Sequence, residues 1–430
     1  MSLLKSLLTL PILFAHHAYA QSQSEAASTL AVTDIPSSLL VPSGPYRSDY
    51  DLGTASVTAS TVGASNATAT YSSTSSVQLI GITGGASSTT NASASGTSTS
   101  SASRPSNTQP CNGWPEFCNR KLSNISMVVA HNSPFVVAHN AASNQVLKVE
   151  TQLNDGIRGL QFETHVVNDT LHLCHTSCDL LDAGTLEAYL TTVAKWLDAN
   201  PYEVIAIIMG NDNRVSPTTY VEPFQKSGMS QHLYTPSSDS LALDEWPTLA
   251  EMIIAGKRVI VMLDYLANQT EVPWLLDEFS YQWETPFSPT DPAFPCTQQR
   301  PPNQSNDVSR NKMFMLNHNL NIAIDISGTE LLIPAFTLLD QINADSGNSS
   351  LGTNVENCTA MWGRPPNWLL VDYYNFGKFN GSVFEVAATA NNVSYNRDSC
   401  CGTDGKSGIT RLAPSTWVAA ALTMFLMAFL

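Results

Sequence analysis

"TLEAYLTTVAKWLDANPYEVIAIIMG", residues 185–210, decides the fold. Its first part sets Leu186, Leu190, Val193 and Leu197 at helical spacing, so residues 185–200 read as an amphipathic helix. Its second part, "VIAIIMG" (204–210), is a short unbroken apolar run. A strand with no polar alternation is buried on both faces, as in a parallel sheet covered by helices. The same texture recurs outward in "ISMVVAH" (125–131), "IRGLQFETHVV" (157–167), "LHLCH" (171–175), "RVIVMLDY" (258–265), "MFMLNHN" (313–319) and "WLLVDYY" (368–374). "TLAEMIIAG" (248–256) reads as a second helix, ending at a glycine cap. Strands alternating with helices indicate an α/β domain over residues 109–398, and its size and strand number suit a TIM-type (β/α) barrel. A doubly wound sheet is the alternative. It is disfavoured because no glycine-rich phosphate loop follows the first strand.

The flanks have a different character. Lys5, the apolar stretch from Leu7 to Phe14 and "AYA" (18–20) read as a secretory signal over residues 1–20. Residues 21–108 are rich in Ser, Thr, Ala and Gly. They read as a disordered, O-glycosylated stalk, because such a segment buries too little apolar surface to offset its ordering entropy. At the other end, residues 399–430 combine small residues (401–407), a polar spacer (407–416) and the apolar tail "WVAAALTMFLMAFL" (417–430). That order is a GPI-attachment signal with Gly405 as the attachment site; Gly402, Asp404 and Ser407 are alternatives. The expected location is extracellular, anchored to the outer membrane leaflet or cell wall.

Export places the cysteines in an oxidising compartment, where disulfides are expected. Cys111–Cys118 and Cys174–Cys178 are the local pairs; the partners of Cys296, Cys358, Cys400 and Cys401 stay open. Asn-x-Ser/Thr sequons at Asn66, Asn91, Asn124, Asn168, Asn268, Asn303, Asn348, Asn357, Asn380 and Asn392 point to a heavily glycosylated protein. The net charge of −16, with no basic cluster, argues against a nucleic-acid partner.

Two histidines sit where a buried strand ordinarily carries Val or Ile. His131 ends one apolar run and His175 another. In a barrel, side chains at the C-terminal strand ends point into the active-site mouth. A pair of imidazoles there suits acid–base work near neutral pH. Asp264 and Asp372 also stand at strand ends, and Asp372 is the better candidate to orient a histidine or hold a sugar hydroxyl. His318 and Asn319 occupy another exit. His139 lies in a loop and reads as structural. Trp362, Trp368, Tyr373 and Tyr374 either form an aromatic rim for a sugar or lipid, or belong to the core.

"AHNSPF" (130–135) followed by "QLNDGIRGLQFETHVVNDTLHLCHTSC" (152–178) resembles the X-domain of phosphatidylinositol-specific phospholipase C and the wider PLC-like phosphodiesterases, most of all their secreted fungal branch. The resemblance spans about residues 110–397. It implies a distorted TIM-type barrel and an extracellular phosphoric diester hydrolase. The substrate would be an inositol phospholipid or a GPI-like glycolipid, cleaved through a cyclic phosphate. By the same resemblance His131 is the general base for the inositol 2-hydroxyl and His175 the general acid for the leaving diacylglycerol oxygen. Asn132 matches a calcium-binding position, and Gln161 and Glu163 match two polar positions facing the phosphate.

The departures from the family pattern are informative. Calcium-dependent members carry Glu and Asp where Gln161 and Glu163 stand; metal-free bacterial members carry Asp and then Arg. Gln161 is a neutral oxygen ligand at best, and Glu163 repels a bare phosphate. A further calcium-binding Glu falls on Met209. Asn132 and Glu163 are the positions left for calcium, so no cofactor is certain. His165, two residues beyond Glu163, is a source of positive charge. The alternative reading is a weak or inactive barrel that binds glycan or lipid at the cell surface. A glycosidase using Glu163 and Asp372 is a third.

Overall fold

A computed structural model describes residues 109–137, 140–326, 329–397 and 400–401. The expected signal, stalk, anchor site Gly405 and loop residue His139 lie outside the described residues. In chain order the strands are β1 (Met127–Ala130), β2 (Gly159–Val167), β3 (Thr170–Cys174), β4 (Asp182–Thr185), β5 (Ile205–Asn211), β6 (Val259–Leu263), β7 (Leu275–Asp277), β8 (Gln282–Glu284), β9 (Met313–Asn317), β10 (Asn321–Ile326), β11 (Thr329–Pro334) and β12 (Trp368–Val371). The helices that bear on the site are α1 (Val149–Asp155), α2 (Leu186–Ala199), α3 (Leu249–Ala255), α4 (Glu278–Tyr281), α5 (Leu351–Trp362) and α6 (Ser382–Ala390).

The main sheet runs β7-β6-β5-β2-β1-β12-β9-β8, with every neighbour parallel. Starting at β1, this is simply chain order around a circle, joined where β12 pairs with β1. The sheet is therefore a curled barrel rather than a doubly wound layer. It is open at one seam, because β7 and β8 do not pair. The cause is local: only α4, a single turn, links them, whereas pairing parallel strands takes a crossover of about a dozen residues. The edge of β8 is covered instead by Arg300, whose carbonyl accepts from the Glu284 amide at 2.8 Å.

Helix α2 forms as its spacing predicts. The Thr185 hydroxyl accepts from the Ala188 amide as N-cap, and Leu186, Leu190, Val193 and Leu197 are all fully buried. Truncating one of these leucines to Ala costs about 2–5 kcal/mol. Helix α3 starts with a reciprocal capping box between Thr248 and Glu251 and stops at Gly256, whose φ is 69°.

Successive strand residues face opposite ways, and the core divides accordingly. Val128, Ala130, Ile205, Ile207, Met209, Val259, Val261, Leu369 and Val371 pack with the helices. Val129, Ala206, Ile208, Ile260, Met262, Met315 and Leu370 fill the interior. Gly159 is required by that interior, since a Cβ there would lie 2.5 Å from Val129 Cγ2. Continuing the same parity toward the C-terminal ends carries the interior face from apolar residues to His131, Glu163, Asp264, Glu284, Asn317 and Asp372.

Two expectations need correction. The run "LHLCH" is not a barrel strand: β3 pairs antiparallel with β2, His172 opposite His165, and then with β4. It forms a hairpin arm rising from the end of β2. Met209 does not reach the mouth, because its parity buries it against the helices. The disulfides Cys111–Cys118 and Cys174–Cys178 are as expected, and the remaining pairs are Cys296–Cys358 and the adjacent Cys400–Cys401.

Candidate functional site

β1 and β12 deliver His131 and Asp372 side by side. His131 Nδ1 donates to Asp372 Oδ1 at 2.7 Å. Each strand then turns sharply through a left-handed residue, Asn132 at φ 49° and Tyr373 at φ 45°. Asn tolerates that region and a bulky Tyr ordinarily does not. Tyr373 is held there by burial and by its amide, which donates to the Asn144 carbonyl at 2.8 Å. The loop after β1 returns two amide side chains to the pair. Gln145 Nε2 donates to the carbonyls of His131 (2.8 Å) and Val371 (3.1 Å), tying the strand exits together. Asn144 Nδ2 donates to Asp372 Oδ1 at 2.9 Å. Asn319 Nδ2 lies 3.3 and 3.5 Å from the two ring nitrogens of His131.

β2 supplies the opposite wall. Gln161 Oε1 accepts from the Asn132 amide at 3.0 Å. Glu163 Oε2 is 3.9 Å from His165 Nε2, and Asp212 Oδ2 is 3.4 Å from His165 Nδ1. Burial alone would lower the His165 pKa, but Glu163 and Asp212 outweigh it and hold the imidazole above its usual value. Withdrawal from water would raise Glu163, but His165, His175 and His131 together keep it below the ordinary carboxylate value. Glu163 and His165 thus form a charge-compensated pair.

His175 enters from the hairpin arm. The Cys174–Cys178 disulfide closes the turn that carries it, and its amide donates to the Leu181 carbonyl at 3.0 Å. The ring packs edge-on against Phe135 with centroids 5.3 Å apart. Burial pushes its pKa down to about 4, against the opposing charge of Glu163. It feels the charges of Glu163, His131, Asp372 and His165, so the arm and the strand exits meet in one electrostatic cluster.

Six buried polar atoms of this cluster have no hydrogen-bond partner among the described residues: Asn132 Oδ1, Asn144 Oδ1, Asn319 Oδ1, Asp372 Oδ2, His165 Nε2 and His175 Nδ1. Unpaired buried acceptors cost about 1–3 kcal/mol each unless a ligand or water donates to them.

Across the open seam, Arg300 joins Asp264 of the β6 exit (3.4 Å) to Glu284 of β8 (3.2 Å). Tyr265 Oη lies 3.2 Å from its Nη2, and Asn317 Nδ2 donates to Glu284 at 3.2 Å. Burial lifts Asp264 to about 6, even though Arg300 and the Asn211 amide oppose the rise.

Sequence reasoning missed Arg300, Asn144 and Gln145, all loop residues outside any periodic pattern. It also misplaced others. His318 does not line the mouth: it is fully buried between Asn354 Oδ1 (3.1 Å) and the Ile342 carbonyl (3.0 Å). Trp362, Trp368, Tyr373 and Tyr374 are core residues, not a rim. Asp372 is committed to His131 and Asn144, so it does not stand as a free glycosidase carboxylate beside Glu163.

The donor set does not fit calcium. A hard cation wants several oxygens with carboxylates among them. Around Glu163 the neighbours are imidazoles, and Gln161 Oε1 is already an acceptor for Asn132. No group of three or more His, Cys, Asp or Glu among the described residues is arranged to hold a metal.

The PI-PLC X 1 family model matches residues 117–389. An uncharacterized secreted protein of Arthroderma benhamiae is 51% identical over 389 residues, covering 89% of this chain and 88% of its own. A PI-PLC X domain-containing protein 1 of the same fungus is 40% identical over 286 residues, covering 66% and 90%. Among solved structures, a phosphatidylinositol-specific phospholipase C of Staphylococcus aureus aligns at a TM-score of 0.42 and 16% identity, covering 63% of this chain and 94% of that one.

Proposed function

The chain belongs to the PI-PLC X family, and from that premise we propose that it is a phosphodiesterase cleaving a polyol phosphodiester by two-histidine acid–base catalysis. The observation that carries this reading is the His131–Asp372 pair at 2.7 Å. With Nδ1–H committed to the carboxylate, the lone pair of His131 lies on Nε2, where only the long 3.5 Å approach of Asn319 Nδ2 competes with a substrate proton. The hydroxyl it deprotonates attacks phosphorus, and the leaving alkoxide takes its proton from His175, so the first product is a cyclic phosphate.

His175 is neutral at rest, with its pKa near 4. A bound phosphodiester anion raises that pKa and charges the acid where it is needed. Glu163 assists by the same sign of interaction, while His165 cancels its repulsion of the phosphate. His165 takes the place of the arginine that metal-free relatives carry, and no metal enters a step.

The alcohol part of the substrate is a polyol. Asn132, Asn144, Asn319 and Asp372 present buried acceptor oxygens that want hydroxyl donors. An inositol ring, in a phospholipid or a GPI-like glycolipid, has that donor pattern. The protein works outside the cell, anchored through Gly405. A secreted relative at 51% identity supports export.

Phosphorus NMR of the purified protein with phosphatidylinositol micelles tests the reading, with calcium in one arm and chelator in the other. A cyclic inositol phosphate in both arms is expected. A folded protein that binds inositol phosphate without turnover in either arm would instead support a cell-surface lipid- or glycan-binding barrel.

A further inference from the structure

We propose that the barrel carries N-linked glycans at the eight sequon asparagines lying on its described residues, from Asn124 to Asn392. All eight are exposed. Of the twenty other described asparagines, twelve are buried. The buried ones, such as Asn132, Asn144, Asn317 and Asn319, serve interior hydrogen bonding, and none of the asparagines followed by x-Ser/Thr is among them.

The amides of these sites are also free of structural duty. Among the described residues their one side-chain donation is Asn268 Nδ2 to Glu271 Oε1 at 3.0 Å, on the surface. At three of the sequons the hydroxyl end is instead engaged with the fold. Ser126, Thr359 and Ser382 donate to the Pro366, Val355 and Asn343 carbonyls. Ser126 and Ser382 are buried, and Cys358 inside the Asn357 sequon is locked in a disulfide. At these three sequons an enzyme that must read the hydroxyl therefore acts before the barrel closes. Afterwards only the asparagine end has to accommodate carbohydrate, and at every one of these positions it does.

Asn168, Asn268 and Asn380 lie on chain that leaves the C-terminal ends of β2, β6 and β12, so three of the glycans flank the mouth. No sequon falls between Asn168 and Asn268, which leaves the flank of α2 and α3 bare.

The co-reactant is a lipid-linked oligosaccharide diphosphate in the secretory lumen. Asparagine Nδ2 bonds to the anomeric carbon of the reducing-end sugar. The bond from that carbon to the diphosphate oxygen breaks, the lipid diphosphate leaves, and the Nδ2 proton is released.

This inference rests on the extracellular location proposed above. The test is the full chain expressed with its own leader in a filamentous fungus, and recovered from medium or cell surface. It is then treated with peptide-N-glycosidase in heavy-oxygen water and mapped by peptide mass spectrometry. Heavy-oxygen aspartate is expected at the eight positions, the three mouth-loop sites included, with unchanged asparagine at Asn144 and Asn319. Extracellular protein with unmodified asparagine at half or more of the eight overturns the inference and leaves export intact. Protein retained in the cytosol overturns both.

Discussion

Asp372 Oδ1 stands 2.7 Å from His131 Nδ1, and Asn144 Nδ2 donates to the same oxygen at 2.9 Å. The carboxylate is an acceptor only, so it dictates which ring nitrogen carries the proton. Asp372→Asn keeps the shape but offers an amide donor, which favours the wrong tautomer of His131. The expected result is a fall in kcat of about 10²–10⁴-fold, with the folded state retained. Asn144→Ala leaves the carboxylate in place and should cost less. Steady-state kinetics alongside thermal melts decides it: a D372N enzyme with near-normal kcat removes the dyad from the mechanism.

If His175 protonates the leaving oxygen, its importance depends on that oxygen. His175→Ala should lower kcat by about 10²–10⁴-fold on a substrate with an alkyl leaving group. On a p-nitrophenyl ester, whose phenolate leaves without help, the loss should nearly vanish. Equal losses on both substrates would assign His175 to binding rather than to proton donation. Glu163→Gln removes a charge that raises the His175 pKa. The alkaline limb of the kcat/KM profile should then move to lower pH.

The legible parts of this molecule are those that obey a period. Buried strands such as β5 and β6 show as unbroken apolar runs, and α2 shows as a helical stripe. Because the strand face alternates, His131 and Asp372 were recognisable as polar residues where a barrel strand ends. His175 reaches the same cluster from an antiparallel arm rather than a barrel strand, and the two alternate alike. Arg300 and Asn144 left no signal. They act from loops, where position is set by tertiary contacts such as the Arg300 backbone pairing with Glu284. The open seam was equally invisible, because it depends on the shortness of the β7–β8 link.

Arg300 holds that seam between two largely buried carboxylates, its side chain 18% exposed against 14% for Asp264 and 3% for Glu284. Removing one partner of such a network strands the others. Arg300→Ala should destabilise the fold by about 3–5 kcal/mol in denaturant titrations at neutral pH. Asp264, already lifted to about 6 with the arginine present, should rise further. The loss should therefore shrink as pH falls and Asp264 protonates. A pH-independent loss would mean that packing of the Arg300 stem, not its charge, is what the seam uses.

His318 gives the fold a second pH dependence, of opposite sign. Burial pushes its pKa down to about 4, although hydrogen bonding to Ile342, Asn354 and Ser349 opposes the shift. In the unfolded chain it returns to about 6.5. Between those values the unfolded state binds a proton that the native state refuses, so stability falls as pH drops from about 6.5 toward 4. The limiting loss is about 3 kcal/mol from this residue. Asp155, raised to about 6, works the other way over part of the same range, because there the native state binds the extra proton. His318→Gln, which can still bond to Asn354 or Ile342, should be less stable than the parent at neutral pH. It should lose about 2–3 kcal/mol less on acidification to pH ~4. Urea titrations of parent and variant across that range read the difference directly. Parallel stability curves would place the acid sensitivity elsewhere, with His175 as the next residue to substitute.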